Sequence, residues 1–266
     1  MRFIRDPYTK LNTKTVVALG CFDGVHIAHR QVISEAVRIA GEYGCEAAVW
    51  CFSEPPKNFY SSNPAPLVCD ETEKKRLVRQ LGVDILISPH FDGRLALVEP
   101  EEFVCELLCE CAGAVHLVCG KNYTFGHGGR GNTELLSTIC ASLGIGLYVV
   151  DDVSIQGIKV SSTLTREAVE AGQCIYAQKL LGREFSISLD MHSEDEGDGC
   201  VLSFDRKYLA PFGRYRVLVS QRARKKECIA DIERTDSETL IHLPFSFDSG
   251  RTRVTFLSNK MTEHSK

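Results

Sequence analysis

TVVALGCFDGVHIAH, residues 15–29, is the stretch from which the fold is read. Thr15–Gly20 is a short apolar, β-branched run, the pattern of a buried strand. Gly20 and Gly24 then permit a tight turn and a close approach of backbone to a ligand. Beyond the turn, apolar residues recur at Val32, Ile33, Ala36, Val37 and Ala40, which is helical spacing. A strand that passes into a helix through such a turn offers unpaired N–H groups and a positive dipole end to a phosphate. His26 and His29 are three residues apart, so on a helical first turn both rings lie on one face. Taken alone, an H-x-x-H beside a turn is more often one surface and one core histidine. Within the whole string the pair reads as phosphate-handling.

Outward from this stretch, strands and helices alternate. Cys45–Phe52 reads as a second buried strand, Asp70–Leu81 as a helix and Val83–Ser88 as a third strand. Glu99–Cys111 is a helix opening on Pro100 with acidic residues in its first turn. Ala114–Gly120 is a fourth strand, Asn132–Leu143 a helix ended by Gly144, and Gly146–Val150 a fifth strand. Thr163–Ala171 and Cys174–Leu181 are two short helices. This alternation predicts an α/β domain over residues 1–183, Rossmann-like, with a parallel sheet covered by helices on both faces. Ligands in such sheets sit at the carboxyl ends of strands, so the loops to read are 21–29, 53–67 and 121–131.

From about Gly182 the periodicity switches to alternation, as in Arg214–Ser220 and Thr239–Leu243. Residues 184–266 therefore read as a small all-β domain, with His192–Gly199 an exposed turn or flexible loop and Met261–Lys266 a frayed tail.

The composition, 44% hydrophobic and 25% charged over 266 residues, is that of a globular protein. The net charge of −4 argues against nucleic acid as a partner. The basic cluster Arg222, Arg224, Lys225 and Lys226 is closely followed by Glu227 and Asp231, as at a solvated strand end. No stretch approaches the roughly 18–20 apolar residues of a membrane span, and no signal peptide is visible, so a cytoplasmic location without membrane contact is the expectation. Twelve cysteines lie mostly in apolar periodic segments and read as small buried hydrophobes. The tightest group, Cys105, Cys109 and Cys111 with His116 and Cys119, contains no C-x-x-C pair, so no metal ligand is assigned. Gly126–Gly131 satisfies G-x-G-x-x-G, with Asp151 twenty residues on. Its glycines begin six residues after the strand ends rather than in the first tight turn, which favours a flexible loop closing on substrate over a dinucleotide fingerprint. Arg130, the fixed positive charge of that loop, is equally a phosphate contact or a solvated side chain.

Three separated motifs carry a family resemblance. Gly20–His29 resembles the G-x-F-D-G-x-H-x-G-H signature of bacterial FAD synthetases, the adenylyltransferase half of bifunctional riboflavin kinase/FMN adenylyltransferases. Gly120–Gly126 (GKNYTFG) is similar to the family's G-x-[DN]-x-x-F-G, and Ser161–Arg166 (SSTLTR) to its S-S-T-x-x-R. Leu180–Arg183 (LLGR) stands where the family ends in L-L-G-R. The chain departs from the pattern at Ala28, where the family has glycine, and at Cys51–Pro56 (CFSEPP). There Glu54 and Pro55 stand in the places of a proline and a histidine of T-F-x-P-H-P. The kinase motif G-F-P-T-A-N is absent from 184–266.

The resemblance implies a nucleotidyltransferase that moves AMP from ATP to FMN, giving FAD and pyrophosphate, with Mg²⁺ accompanying ATP. It implies His26 and His29 on the triphosphate and Asn122 orienting the FMN phosphate or Mg²⁺. Gly20, Phe22, Asp23 and Gly24 would form the turn, and Phe125 would stack near the flavin. Ser161, Ser162 and Thr163 would meet phosphate at a helix start, and Arg166, one turn in, would clamp one. The β-domain would be a shortened relic of the kinase barrel without riboflavin phosphorylation. A related transferase with another phosphate acceptor, or a non-catalytic flavin- or nucleotide-binding module, are the alternatives.

Overall fold

The computed structural model describes residues 1–196 and 199–261. By internal contacts the chain forms two compact units, Met1–Pro64 with Lys74–Lys159, and Ala65–Glu73 with Val160–Lys266. The two short helices after Val160, grouped with the sheet in the reading of the sequence, fall in the second of these.

The first unit holds β1 (Arg2–Ile4), β2 (Thr15–Leu19), α1 (Ile27–Tyr43), β3 (Glu46–Trp50), the short α2 (Pro56–Phe59), most of α3 (Glu71–Gln80) and β4 (Ile85–Ile87). Then come α4 (Gly93–Ala96), α5 (Pro100–Glu102) running into a π-helix over Phe103–Cys111, β5 (Ala114–Gly120), α6 (Thr133–Leu143), β6 (Gly146–Val150) and a small hairpin, β7 (Ser154–Ile155) and β8 (Ile158–Lys159). Six strands form one sheet in the order β1-β4-β3-β2-β5-β6, parallel throughout.

Alternate residues of the strands feed two cores. Val16, Ala18, Ala47 and Val49 pack with Ile33, Ala36 and Ala40 of α1 and Leu77 and Val78 of α3. Val17, Leu19, Ala48 and Trp50 pack with Phe103, Val104 and Leu107 of the π-helix and Leu136 and Ile139 of α6. The chain builds β2, β3 and β4 in one direction, then returns to place β5 on the other side of β2. The order reverses between β2 and β5, which puts the crevice of an open α/β sheet at the ends of those strands. Leu19 pairs with Cys119 there, so Gly20 and Gly120 leave the sheet side by side.

In the second unit, α7 (Ser162–Glu170) and α8 (Cys174–Leu181) precede β9 (Ser186–Glu196), β10 (Gly199–Asp205), β11 (Gly213–Gln221), β12 (Arg224–Arg234), β13 (Glu238–Leu243) and β14 (Gly250–Phe256). The strands close an antiparallel barrel in the order β10-β13-β12-β11-β14-β9. Tyr215, Val217 and Val219 of β11 fill its interior. His192–Glu196, read from sequence as a loop, is strand paired with β10. Residues 197–198 and most of the expected tail, 262–266, lie outside the described residues. No helix among the described residues is long and apolar enough to cross a membrane.

Candidate active site

The turn after β2 is conformationally demanding. Phe22 (φ 50°), Gly24 (φ 74°) and Val25 (φ 43°) all adopt left-handed backbone. For β-branched Val25 this costs about 1–3 kcal/mol, a cost the buried surroundings must offset. Phe22 folds back into the core, and a Cβ at residue 20 would come within 2.9 Å of its ring, so glycine is required there. Asp23 is buried beside it.

His26 then caps α1: its Nδ1 accepts from the His29 N–H at 3.2 Å. An Nδ1 that accepts carries no proton, so neutral His26 holds its proton on Nε2. The two imidazoles stack with centroids 3.5 Å apart at 15°, and Phe22 meets His29 edge-on at 5.3 Å. The structure thus brings the two histidines together more closely than helical spacing alone requires. Two stacked rings accommodate a pair of positive charges only when an anion lies against them.

Beside the turn opens a cavity of about 590 Å³, within the size range of small-molecule sites. Gly20 and Cys21 of the turn form one wall. Trp50, Cys51 and Phe52 come from the end of β3, Phe91, Leu95 and Val98 from the segment after β4, and Phe103 from the π-helix. Tyr123, Thr124, Phe125 and Gly126 follow β5. Trp50 packs edge-on to Phe52 and Phe103 at 5.0 and 4.9 Å, and Tyr123 stacks on Phe125 at 5.7 Å. Phe125 is therefore both buried and a wall of the cavity. Such rings present flat apolar faces suited to a planar aromatic ligand.

The loops around the cavity are fastened. Lys74, 2% exposed, donates to the carbonyls of Phe52 (2.9 Å) and Ser53 (3.2 Å), and Ser53 Oγ meets His90 Nδ1 at 2.9 Å. Phe125 and Gly131 exchange backbone hydrogen bonds, and the His127 N–H donates to Val98. Gly126 (φ 71°) lies so close to Pro100 that a Cβ would stand 2.7 Å from it. Arg130, read from sequence as a phosphate contact or a solvated side chain, pairs with Glu99 at 2.6 Å and donates to the His127 carbonyl. The segment expected to be a flexible closing loop is thus held at several points. Asn122 donates its amide to Asp152 at 3.2 Å, and Asp152 pairs with Lys159 at 2.8 Å.

The remaining sequence-predicted residues belong to the second unit. Ser161 is the N-cap of α7, its Oγ accepting from the Leu164 N–H at 3.1 Å, and Ser162 and Thr163 open the helix. Arg166 Nε donates to the Pro66 carbonyl at 2.7 Å.

The twelve cysteines are thiols, none in a disulfide. Burial pushes Cys119 up to about 12 and Cys109 and Cys140 up to about 11, so these thiols are not nucleophiles near neutral pH. Among the described residues no group of three or more His, Cys, Asp or Glu side chains is placed to hold a metal ion.

A parallel sheet with a glycine-containing turn and an aromatic cavity at its switch point defines a Rossmann-like α/β domain with a candidate ligand site. The FAD synthetase family model matches residues 8–164. The chain belongs to the FAD synthetase family. It is 30% identical over 173 residues to the bifunctional riboflavin kinase/FMN adenylyltransferase of Pseudomonas fluorescens, covering 65% of this chain and 56% of that protein. It is 32% identical over 183 residues to that of Listeria monocytogenes, covering 68% and 57%. The chain thus spans less than two thirds of the length of these relatives. In fold it is similar to the crystal structure of a macrolide-efflux protein from Streptococcus pneumoniae, with a TM-score of 0.82 at 23% identity, covering 100% of this chain and 94% of that one.

Proposed function

We propose that this chain transfers the adenylyl group of ATP to FMN. A phosphate oxygen of FMN attacks the α-phosphorus of ATP, the bond to the bridging oxygen breaks, and FAD and pyrophosphate leave. The observation that carries this reading is the shared wall. Gly20 and Cys21 belong both to the phosphate turn and to the aromatic cavity, so a planar ring and a polyphosphate are held side by side. No covalent enzyme intermediate is needed, and positioning with charge neutralisation supplies the catalysis.

In this reading His26, through Nε2–H, and His29 hold the triphosphate against the start of α1. Gly20, Phe22, Asp23 and Gly24 shape the turn, and the flavin lies in the cavity against Phe125. Asn122 gives one amide N–H to Asp152, which leaves its second N–H for a phosphate and its carbonyl oxygen for Mg²⁺. Mg²⁺ accompanying ATP would supply positive charge to the phosphates, and the Asn122 carbonyl oxygen would be the group of this chain offered to it. In the second unit, Ser161, Ser162 and Thr163 offer a helix start and Arg166 a cation to phosphate, as the family motif implies. The barrel, lacking G-F-P-T-A-N, does not phosphorylate riboflavin.

Incubation with ATP, Mg²⁺ and FMN should yield FAD and pyrophosphate, while riboflavin in place of FMN should yield no FMN. Absence of FAD with every divalent metal tried overturns the transferase reading. Pro55, in place of the family histidine, favours testing other phosphate acceptors in parallel.

A further inference from the structure

The cavity is walled by apolar, aromatic and uncharged polar residues, with one exception. Lys57, in the short α2, is the single charged residue that lines it. Lys57 is exposed, so its ammonium is open to solvent and to a ligand, and no acidic side chain pairs with it among the described residues. Its backbone is nonetheless held in place. Pro55 and Pro56 restrict the chain just before it, and the Asn58 N–H donates to the Pro55 carbonyl at 2.9 Å. Phe59 and Tyr60, which follow it, pack edge-on to Phe91 at 5.4 and 6.0 Å, fastening α2 to the segment after β4. The ammonium is also near enough to Cys21 of the turn after β2 to act on its thiol electrostatically. Aromatic walls accept any flat ring and give no preference for one that carries an anion. A cation among them does, because it gains a charge-assisted hydrogen bond only with the anionic ligand.

We propose that Lys57 is a specificity-determining residue. Its ammonium pairs with a phosphomonoester carried by a planar aromatic substrate, so the cavity favours the phosphorylated ring over the same ring without phosphate. A compact charge with three donors on a flexible stem can follow such a group at the cavity mouth without being buried. The inference rests on the proposed function in taking a flavin as the ring, and it assigns the discrimination between FMN and riboflavin to this side chain.

The test is equilibrium dialysis of the full chain against FMN and, separately, riboflavin, without ATP. Two replacements are compared with the unaltered protein: Lys57→Met, which keeps an unbranched stem without the charge, and Lys57→Arg, which keeps the charge. In Lys57→Met the dissociation constant for FMN should rise about fivefold, the size of one partly solvated ion pair, while that for riboflavin stays unchanged. Lys57→Arg should keep the preference for FMN. Added salt should weaken FMN binding to the unaltered protein more than to Lys57→Met. A purely structural role would shift both flavins alike. The same FMN-to-riboflavin ratio in the unaltered protein and in Lys57→Met overturns the proposal. FAD formation by the unaltered chain separately decides the transferase reading. FAD made without a Lys57-dependent preference overturns this inference alone, and such a preference without FAD overturns the transferase alone. Failure of the unaltered chain to bind either flavin overturns both.

Discussion

One imidazole, that of His26, does two jobs that substitution can separate. Its Nδ1 caps α1 through the His29 N–H, and its ring stacks on His29 where the triphosphate is proposed to lie. Asparagine offers a side-chain oxygen at the same cap but no imidazole. His26→Asn should therefore keep stability within about 1 kcal/mol, whereas His26→Ala should lose about 1 kcal/mol with the cap. Both should lose at least about 100-fold in kcat/KM for FAD formation, the scale of removing one donor to a developing charge. Urea denaturation and steady-state kinetics on the same pair of variants read the two effects. Retention of activity in His26→Asn would reduce the histidine to a cap. The strain at Val25 points the same way, since left-handed backbone at a β-branched residue is held only where surrounding packing over-determines it.

At the scale of elements, the pairing of β5 with β6 is set by a histidine against a glycine. His116 lies opposite Gly146, where a Cβ would come within 2.1 Å of its Nδ1. Burial lowers the His116 pKa, and its Nε2 is buried without a hydrogen-bond partner among the described residues. The unfolded chain, with an imidazole near 6.5, then binds the proton more readily than the folded one. Stability from this group is complete above about pH 6.5 and is lost as pH falls below it. The urea midpoint should drop between pH 7.5 and 5, and His116→Gln should drop less; equal drops would exclude His116 as a source.

These strands were legible as short apolar runs. Ala114–Gly120, Gly146–Val150 and Cys174–Leu181 have the bounds their periodicity predicts, and Asn132 and Gly144 cap α6 as cap residues do. β1 was not legible, because a three-residue strand with two exposed positions carries no period. His192–Glu196 looked like loop because its residues are all polar, yet its backbone is satisfied by β10. The turn after β2 is local in sequence and could be read; the cavity could not. Its walls come from the ends of several elements, so Trp50, Phe91 and Phe103 look like ordinary core, and Lys74 sits in a highly charged helix with nothing to mark it as buried.

For the whole chain, the lesson concerns a unit assembled from distant stretches. Ala65–Glu73 belongs with Val160–Lys266, and its backbone is tied there by Leu67, which donates to Lys207 and accepts from Leu209. Two arginines of β14 complete the attachment. Arg251 pairs with Asp70, and Arg253 holds Glu73 through both oxygens at 3.1 and 2.7 Å while also donating to Ser186 Oγ. The Glu73 side chain is 4% exposed and that of Arg253 30%. A carboxylate so deeply placed is tolerated because the guanidinium meets it in a two-pronged geometry. Arg253→Met removes the cation and leaves the charge in a site of low polarisability, which should cost about 3 kcal/mol of unfolding free energy. Glu73→Leu alone should also destabilise, by stranding the arginine. The double variant, with two apolar side chains filling the same space, should recover most of the loss. A denaturation cycle over the four proteins measures the coupling directly. Simple additivity of the two single losses would show that the pair is incidental and that the backbone ties at Leu67 hold the segment unaided.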